Sequence, residues 1–428
     1  MPATVAALAG LLASLLAGCG AAHPSGSAPS QAEVSALLDR HARAVMSHSA
    51  AQFMSDVDPT AAAAAFRHRQ DTEFADLAGV PLATWTYTVS SPVTDVDATA
   101  EAGKRLGAPA LIVHVTLGYA LDSVDPRPVA HDLWWTFVKR HGRVYVGADD
   151  DMAQLGGLGW QGPWDFGPVV AHRGASSLVL GHPQDAAELA GLAAAVDAAL
   201  SQVTAVWGPQ WRRQVAVVVP ASDAEYAALG GTVPNGPSSR AAGSLADISA
   251  ETVFESPNTI GTDPSGARVI LNPHTLAALT PLGQRIVLRH EIAHVAAASS
   301  TGIGTPRWLV EGLAEYVANL DSGQSVATAA VELRAEVSRA QVPSALPGDG
   351  DFRPGAARLA AVYEQSWLAC RLIAGRAGSA GLVRFYRIVG ESGLTPAEAV
   401  SAAVRAVLRE TVATFTAQWR AYLIVQLR

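Results

Sequence analysis

Apolar positions recur along this chain with two periods, and the switch between them organises its first 150 residues. Val34, Leu37, Leu38, His41 and Val45 fall on one side of a 3.6-residue repeat, which predicts a helix from Gln31, and residues 61–74 predict another. Residues 84–90 (Thr-Trp-Thr-Tyr-Thr-Val-Ser), 110–119, 133–139 and 143–146 are instead rich in β-branched and aromatic side chains. Those suit a pleated surface, so each stretch predicts a strand. Arg140-His141-Gly142 between the last two is short enough for a hairpin turn. Helices followed by antiparallel strands make an α+β unit.

The pattern lapses at 147–167, where Gly recurs without a hydrophobic period, and the junction between two units is placed there. Its acidic triplet, Asp149 to Asp151, lacks the spaced oxygen ligands of a calcium loop and reads as solvated. Beyond it, apolar runs at 177–180, 215–219 and 268–271 predict strands, residues 185–206 a long alanine-rich helix, and Asp223 opens a short one. Residues 230–266, rich in Gly, Pro and Ser, are expected to form irregular loops or short strands. Pro281 starts a further helix that Thr280 is placed to cap, since Pro in the first turn forfeits no needed N–H. The first unit's order of elements is similar to the nuclear-transport-factor-like layout, a curved sheet wrapped on helices, though no diagnostic motif accompanies it.

Composition adds limits. At 428 residues the chain exceeds what one core usually serves, and 49% apolar against 16% charged residues marks a globular protein. A net charge of −8 with no long Lys/Arg cluster excludes nucleic acid as a partner. The first eighteen residues form an apolar run too short for a typical membrane span and suited to a signal peptide. The run ends in Leu16-Ala17-Gly18-Cys19, which resembles the lipobox of bacterial lipoproteins and implies lipidation of Cys19. A plain cleaved signal, and so a secreted protein, or a buried helix stays open, and the departure from the pattern is a leader with no Lys or Arg. Residues 20–30, small and Pro-interrupted, read as a tether. The organisation expected is a signal peptide at 1–18, a lipidated tether at 19–31, an α+β domain at 32–150, a linker at 151–168 and a second domain at 169–428. The membrane contact expected is the lipid alone, on the outer face of the cell membrane. With Cys19 acylated, the other cysteine, Cys370, has no partner, so any metal must be held by His and carboxylate.

The chemistry concentrates at His290-Glu291-Ile292-Ala293-His294. Leu282, Ile286, His290 and His294 are each four apart and share one helix face, so the two imidazoles can converge on a single ion. Glu291 lies next round the helix, able to reach a water there without being a ligand. A third ligand must come from elsewhere. Thr305-Pro306 again marks a helix start, and the segment 308–316 (Trp-Leu-Val-Glu-Gly-Leu-Ala-Glu-Tyr) carries Glu311 and Glu315 one turn apart beside Trp308, Leu309, Leu313 and Val317.

Together these two motifs resemble the gluzincin metallopeptidases, most closely the peptidase MA-like branch. The resemblance implies a mostly helical zincin-like domain with a small mixed sheet and one zinc ion held by His290, His294 and Glu311. It makes Glu291 the general base and Glu315 a carboxylate orienting a ligand imidazole. Glu315 as the ligand in place of Glu311 stays open. It also implies a substrate-binding strand before the site, for which 268–271 is the candidate, and a helix at 361–370 whose Tyr363 either stabilises an oxyanion or packs in the core. A metzincin is excluded, since Ala297 and Ser300 stand where that class needs Gly and His. The expected function is zinc-dependent hydrolysis of a peptide or protein substrate, as an endopeptidase because no aminopeptidase-type amine-binding motif is visible. The alternative is a catalytically inactive zincin-fold lipoprotein serving as a binding or structural module.

Overall fold

The computed structural model describes residues 26–428 except 231–248, 256–260, 262–264 and 354–355. The signal segment, Cys19 and the first part of the tether lie outside the described residues. Helix α1 (Gln31–Met46) opens on a capping box in which Ser30 and Glu33 satisfy each other's backbone N–H, and α2 (Ala50–Ser55) and α3 (Ala64–Asp76) follow. Strands β1 (Leu82–Pro92), β2 (Ala110–Leu121), β3 (Val129–Arg140) and β4 (Arg143–Ala148) pair antiparallel in chain order. Val34, Leu37, Leu38 and Val45 of α1 are buried in the core that this sheet shares. At the β3–β4 turn His141 and Gly142 both take positive φ, 49° and 79°, the left-handed pair that a two-residue hairpin requires. Helix α4 (Val96–Leu106), between β1 and β2, escaped the hydrophobic pattern. Its signals are the ends: Asp95 accepts from Ala98 N–H, and Gly107 stops it at a φ of 66°.

A second, mixed sheet has the order β5-β6-β7-β9-β8, from β5 (Val170–Arg173), β6 (Ser177–Gly181), β7 (Val215–Val218), β8 (Ala250–Phe254) and β9 (Ala267–Leu271). The inner strands β6, β7 and β9 are parallel, and the outer two antiparallel. Helix α5 (Ala186–Trp207) connects β6 to β7, and α6 (Asp223–Gly230) follows β7. Although α5 is long and apolar enough to span a bilayer, it is a core helix here, burying Leu189, Val196, Leu200, Val203 and Trp207. Both faces of the sheet are covered. Val217, Val269 and Leu271 join the helical core, whereas Ala216, Val218 and Ile270 join the core of the N-terminal unit. That two-sided burial explains why these strands read as unbroken apolar runs.

The register corrects one expectation. Residues 268–271 lie in β9, which is hydrogen-bonded on both sides and has no edge to offer a substrate. Among the described residues the edges of this sheet are β5 and β8, and β8 lies inside the stretch expected to form irregular loops or short strands.

Helices supply the rest: α7 (Pro273–Ala278), α8 (Pro281–Ala297), α9 (Arg307–Asn319), α10 (Val326–Ala329), α11 (Val331–Ser338), α12 (Leu359–Gly390), α13 (Pro396–Ala403) and α14 (Val412–Leu427). Within α12 the axis bends at Gly378, whose φ of 76° only glycine adopts freely.

The two units meet over packed contacts. The stretch 151–168, expected as a linker, sends Trp164 into the N-terminal core at 2% exposure, and Trp160 stacks on His131 with ring centroids 3.9 Å apart. Arg268 of β9 reaches across to Asp125 with two hydrogen bonds of 2.8 and 2.7 Å. It also lies 3.2 Å from Glu255, which accepts from Tyr119 Oη at 2.7 Å. Burial works against the Asp125 carboxylate, but Arg268 and the N–H groups of Leu121 and Gly266 outweigh it and hold its pKa below the ordinary value. Removing the cation would leave two buried carboxylates facing one another. Arg268→Met is therefore expected to lower unfolding free energy by about 3–5 kcal/mol. Urea denaturation checks this, and an unchanged midpoint would show that the pair adds nothing.

Candidate metal centre

Helix α8 is built to hold one polar stripe in an apolar setting. Thr280 accepts from Gly283 N–H at 3.2 Å to cap it, with Pro281 in the first turn. Leu288, Ile292 and Val295 are buried with Ala293, Ala296 and Ala297, small side chains that let α5 and α9 approach closely. Fully burying one Leu or Ile contributes roughly 1.5–3 kcal/mol, so this face fixes the helix rotation. The opposite consequence is that His290 and His294 point the same way, their Nε2 atoms 3.1 Å apart.

Glu311 arrives on α9. The helix buries Trp308, Leu309, Leu313 and Val317, and Arg289 of α8 donates to the Leu320 carbonyl at its end. Gly312 sets its spacing from α12: a Cβ there would overlap the Ser366 carbonyl oxygen and stand 2.8 Å from Cys370 Sγ. Thr305 does not cap α9. It accepts from Gly302 instead, and Asp349 takes the Arg307 N–H at 2.9 Å.

The result is a converging triad. Glu311 Oε2 lies 3.5 Å from His290 Nε2 and 3.5 Å from His294 Nε2. Donors about 2.0–2.2 Å from a tetrahedral zinc ion are separated by roughly 3.3–3.5 Å, so these three atoms could hold such an ion with little movement. His290, His294 and Glu311 form such a group, and Glu315 is not part of it. Glu315 Oε1 instead sits 3.2 Å from His290 Nδ1, while its Oε2 accepts from Asn319 Nδ2 at 2.9 Å. With Nδ1–H given to Glu315, a neutral His290 turns its Nε2 lone pair toward the triad.

Electrostatics agree with a cation site. Burial opposes protonation of His290, yet Glu311 and Glu315 outweigh it and hold its pKa well above the ordinary imidazole value. Burial likewise disfavours the Glu311 carboxylate, and His294 and His290 reverse that, placing its pKa far below the usual range.

Around the triad, Glu291 is buried and its Oε2 accepts from Thr252 Oγ1 at 2.7 Å. Tyr363 packs against the helical core with its ring 6.3 Å from that of His290, and burial pushes its phenol pKa well up. Arg307 stands at the rim, its Nη2 3.8 Å from Glu311 Oε1 and its guanidinium over the Phe352 ring. Thr252 and Phe352 escaped sequence reading because each lies in a segment without motif. For Arg307, four residues before Glu311 on a helix already identified, the spacing was signal enough.

No family model matches the chain, and no curated protein matches it. Among solved structures it is similar to a two-domain M1 zinc metallopeptidase mutant bound to L-arginine, at 12% identity over 75% of this chain and 90% of that chain, with a TM-score of 0.33. A likeness of that size fixes neither fold nor chemistry.

Two outcomes follow from the geometry. Gly312→Ala should cost about 1–3 kcal/mol through overpacking against α12 and weaken metal binding by displacing Glu311, both readable from thermal unfolding with and without added zinc. Because Glu311 and Glu315 raise the pKa of His290 in the metal-free protein, zinc competes with a proton there, and its affinity should rise as pH rises toward that raised pKa. Calorimetric titration in buffers of different ionisation enthalpy should show net proton release on zinc binding; pH-independent affinity would contradict the assignment.

Proposed function

We propose that this chain is a zinc-dependent peptidase of the gluzincin type, closest to the peptidase MA-like branch, acting on peptide or protein substrates. One observation carries the reading: two imidazole nitrogens and one carboxylate oxygen converge at 3.1, 3.5 and 3.5 Å, with a second, non-ligating carboxylate, Glu291, alongside. A bound zinc ion would polarise the scissile carbonyl and acidify a water.

The chain's own groups do the rest. Glu291 takes a proton from the attacking water and passes it to the leaving amine, which an amide needs before its C–N bond can break. Tyr363, kept protonated by burial, donates to the carbonyl oxygen as negative charge develops there. Among the described residues its hydroxyl has no hydrogen-bond partner that would compete for this role. The edge of β8, unpaired among the described residues, pairs with the substrate backbone in extended form, which suits cleavage within a chain and favours an endopeptidase. The N-terminal unit, with its nuclear-transport-factor-like layout, backs the sheet that carries this strand. Export and anchoring through a lipid on Cys19 complete the proposal, placing the site outside the cell membrane.

Glu291→Gln should leave zinc bound, since no ligand is touched, and lower turnover at least roughly a hundredfold. Zinc content by atomic absorption and peptide hydrolysis by protein purified free of contaminating proteases test both halves. Full activity in the variant would sink the mechanism, and zinc-free wild-type protein the whole reading.

A further inference from the structure

We infer that Thr252, on the edge strand β8, is the positioning residue of the general base, fixing the carboxylate of Glu291 by a hydrogen bond to one of its two oxygens. This rests on the peptidase reading above.

The strand register puts Thr252 there. Ala250 and Val253 face opposite sides of the sheet, Ala250 in the helical core and Val253 in the core of the N-terminal unit. Alternation therefore turns Thr252 toward the helix side, where α8 passes over β8. Its hydroxyl lies 2.7 Å from Glu291 Oε2 and 3.1 Å from the Glu291 main-chain oxygen. A hydroxyl has one proton, and the nearer, charged oxygen takes it. Among the described residues Oε1 has no hydrogen-bond partner. One carboxylate oxygen is thus tied to the sheet and the other left for proton transfer.

Glutamate has one of the larger rotamer entropies, and a base that wanders spends little time in a reactive pose. The hydrogen bond removes that freedom before substrate arrives. It also comes from the strand that a bound peptide would extend, so substrate and base share one frame.

Thr252→Val keeps the β-branched shape and strand preference but removes the donor, whereas Thr252→Ser keeps the donor and removes only a methyl group. With full-length protein, Thr252→Val should lower kcat about tenfold to a hundredfold, the worth of a hydrogen bond to a charged group, at unchanged KM and zinc affinity. Thr252→Ser should restore most of the turnover. In a Glu291→Gln background the Val substitution should add no comparable loss, because the donor would act through Glu291 alone. A crystal structure of the metal-free Val variant should show the Glu291 carboxylate departed from its position, a readout independent of activity. Wild-type kcat in the Val variant, a Ser variant as impaired as Val, equal losses in both backgrounds, or an unmoved carboxylate would each overturn the proposal. If Glu291→Gln itself stays fully active, the peptidase mechanism fails, while the metal-free structure still decides whether Thr252 holds Glu291.

Discussion

Everything at the candidate metal centre depends on bringing a buried carboxylate from one helix within 3.5 Å of two imidazoles on another. Such a carboxylate is costly to desolvate, and it stays ionised only because positive charge is held opposite it. The packing must therefore be close and unyielding. Alanines on α8 and Gly312 on α9 provide that closeness by removing side-chain bulk where backbones meet. The glycine after Glu311 thus has a steric reason: α12 occupies the space its side chain would need.

A second requirement is that the sheet beneath α8 not shift. Its inner strands are buried on both faces, between the helical core and the N-terminal unit. Arg268 ties β9 to Asp125 and to Glu255, the residue that follows β8, so the edge strand is held at its end by charges from both units.

Much of this was legible in the chain. The i, i+4 histidines, the Thr280-Pro281 start and the Glu311/Glu315 pair follow from helix geometry, which repeats locally and so writes itself into sequence. The strands around 84–146 and 215–271 were visible through their β-branched and aromatic residues, β8 excepted. What sequence could not show depends on partners far along the chain. Whether 268–271 is an edge or a centre is decided by residues 215–218 and 250–254, and a strand's neighbours leave no mark on its own composition. Thr252 is one β-branched polar residue among many until α8 is laid over it. Helix α4 was missed because its evidence lies in its caps at Asp95 and Gly107 and not in a long apolar stripe.

The Gly-rich passage at 151–168 looks like a joint in hydropathy, yet Trp164 is buried within it and Leu178, Leu180, Ala216 and Ile270 lie in the core on its other side. Cutting the chain there would bare an apolar face on each fragment. The boundary drawn by composition is therefore not a boundary in packing: the N-terminal unit and the sheet of the second unit share one core, and a shared core should melt as one body.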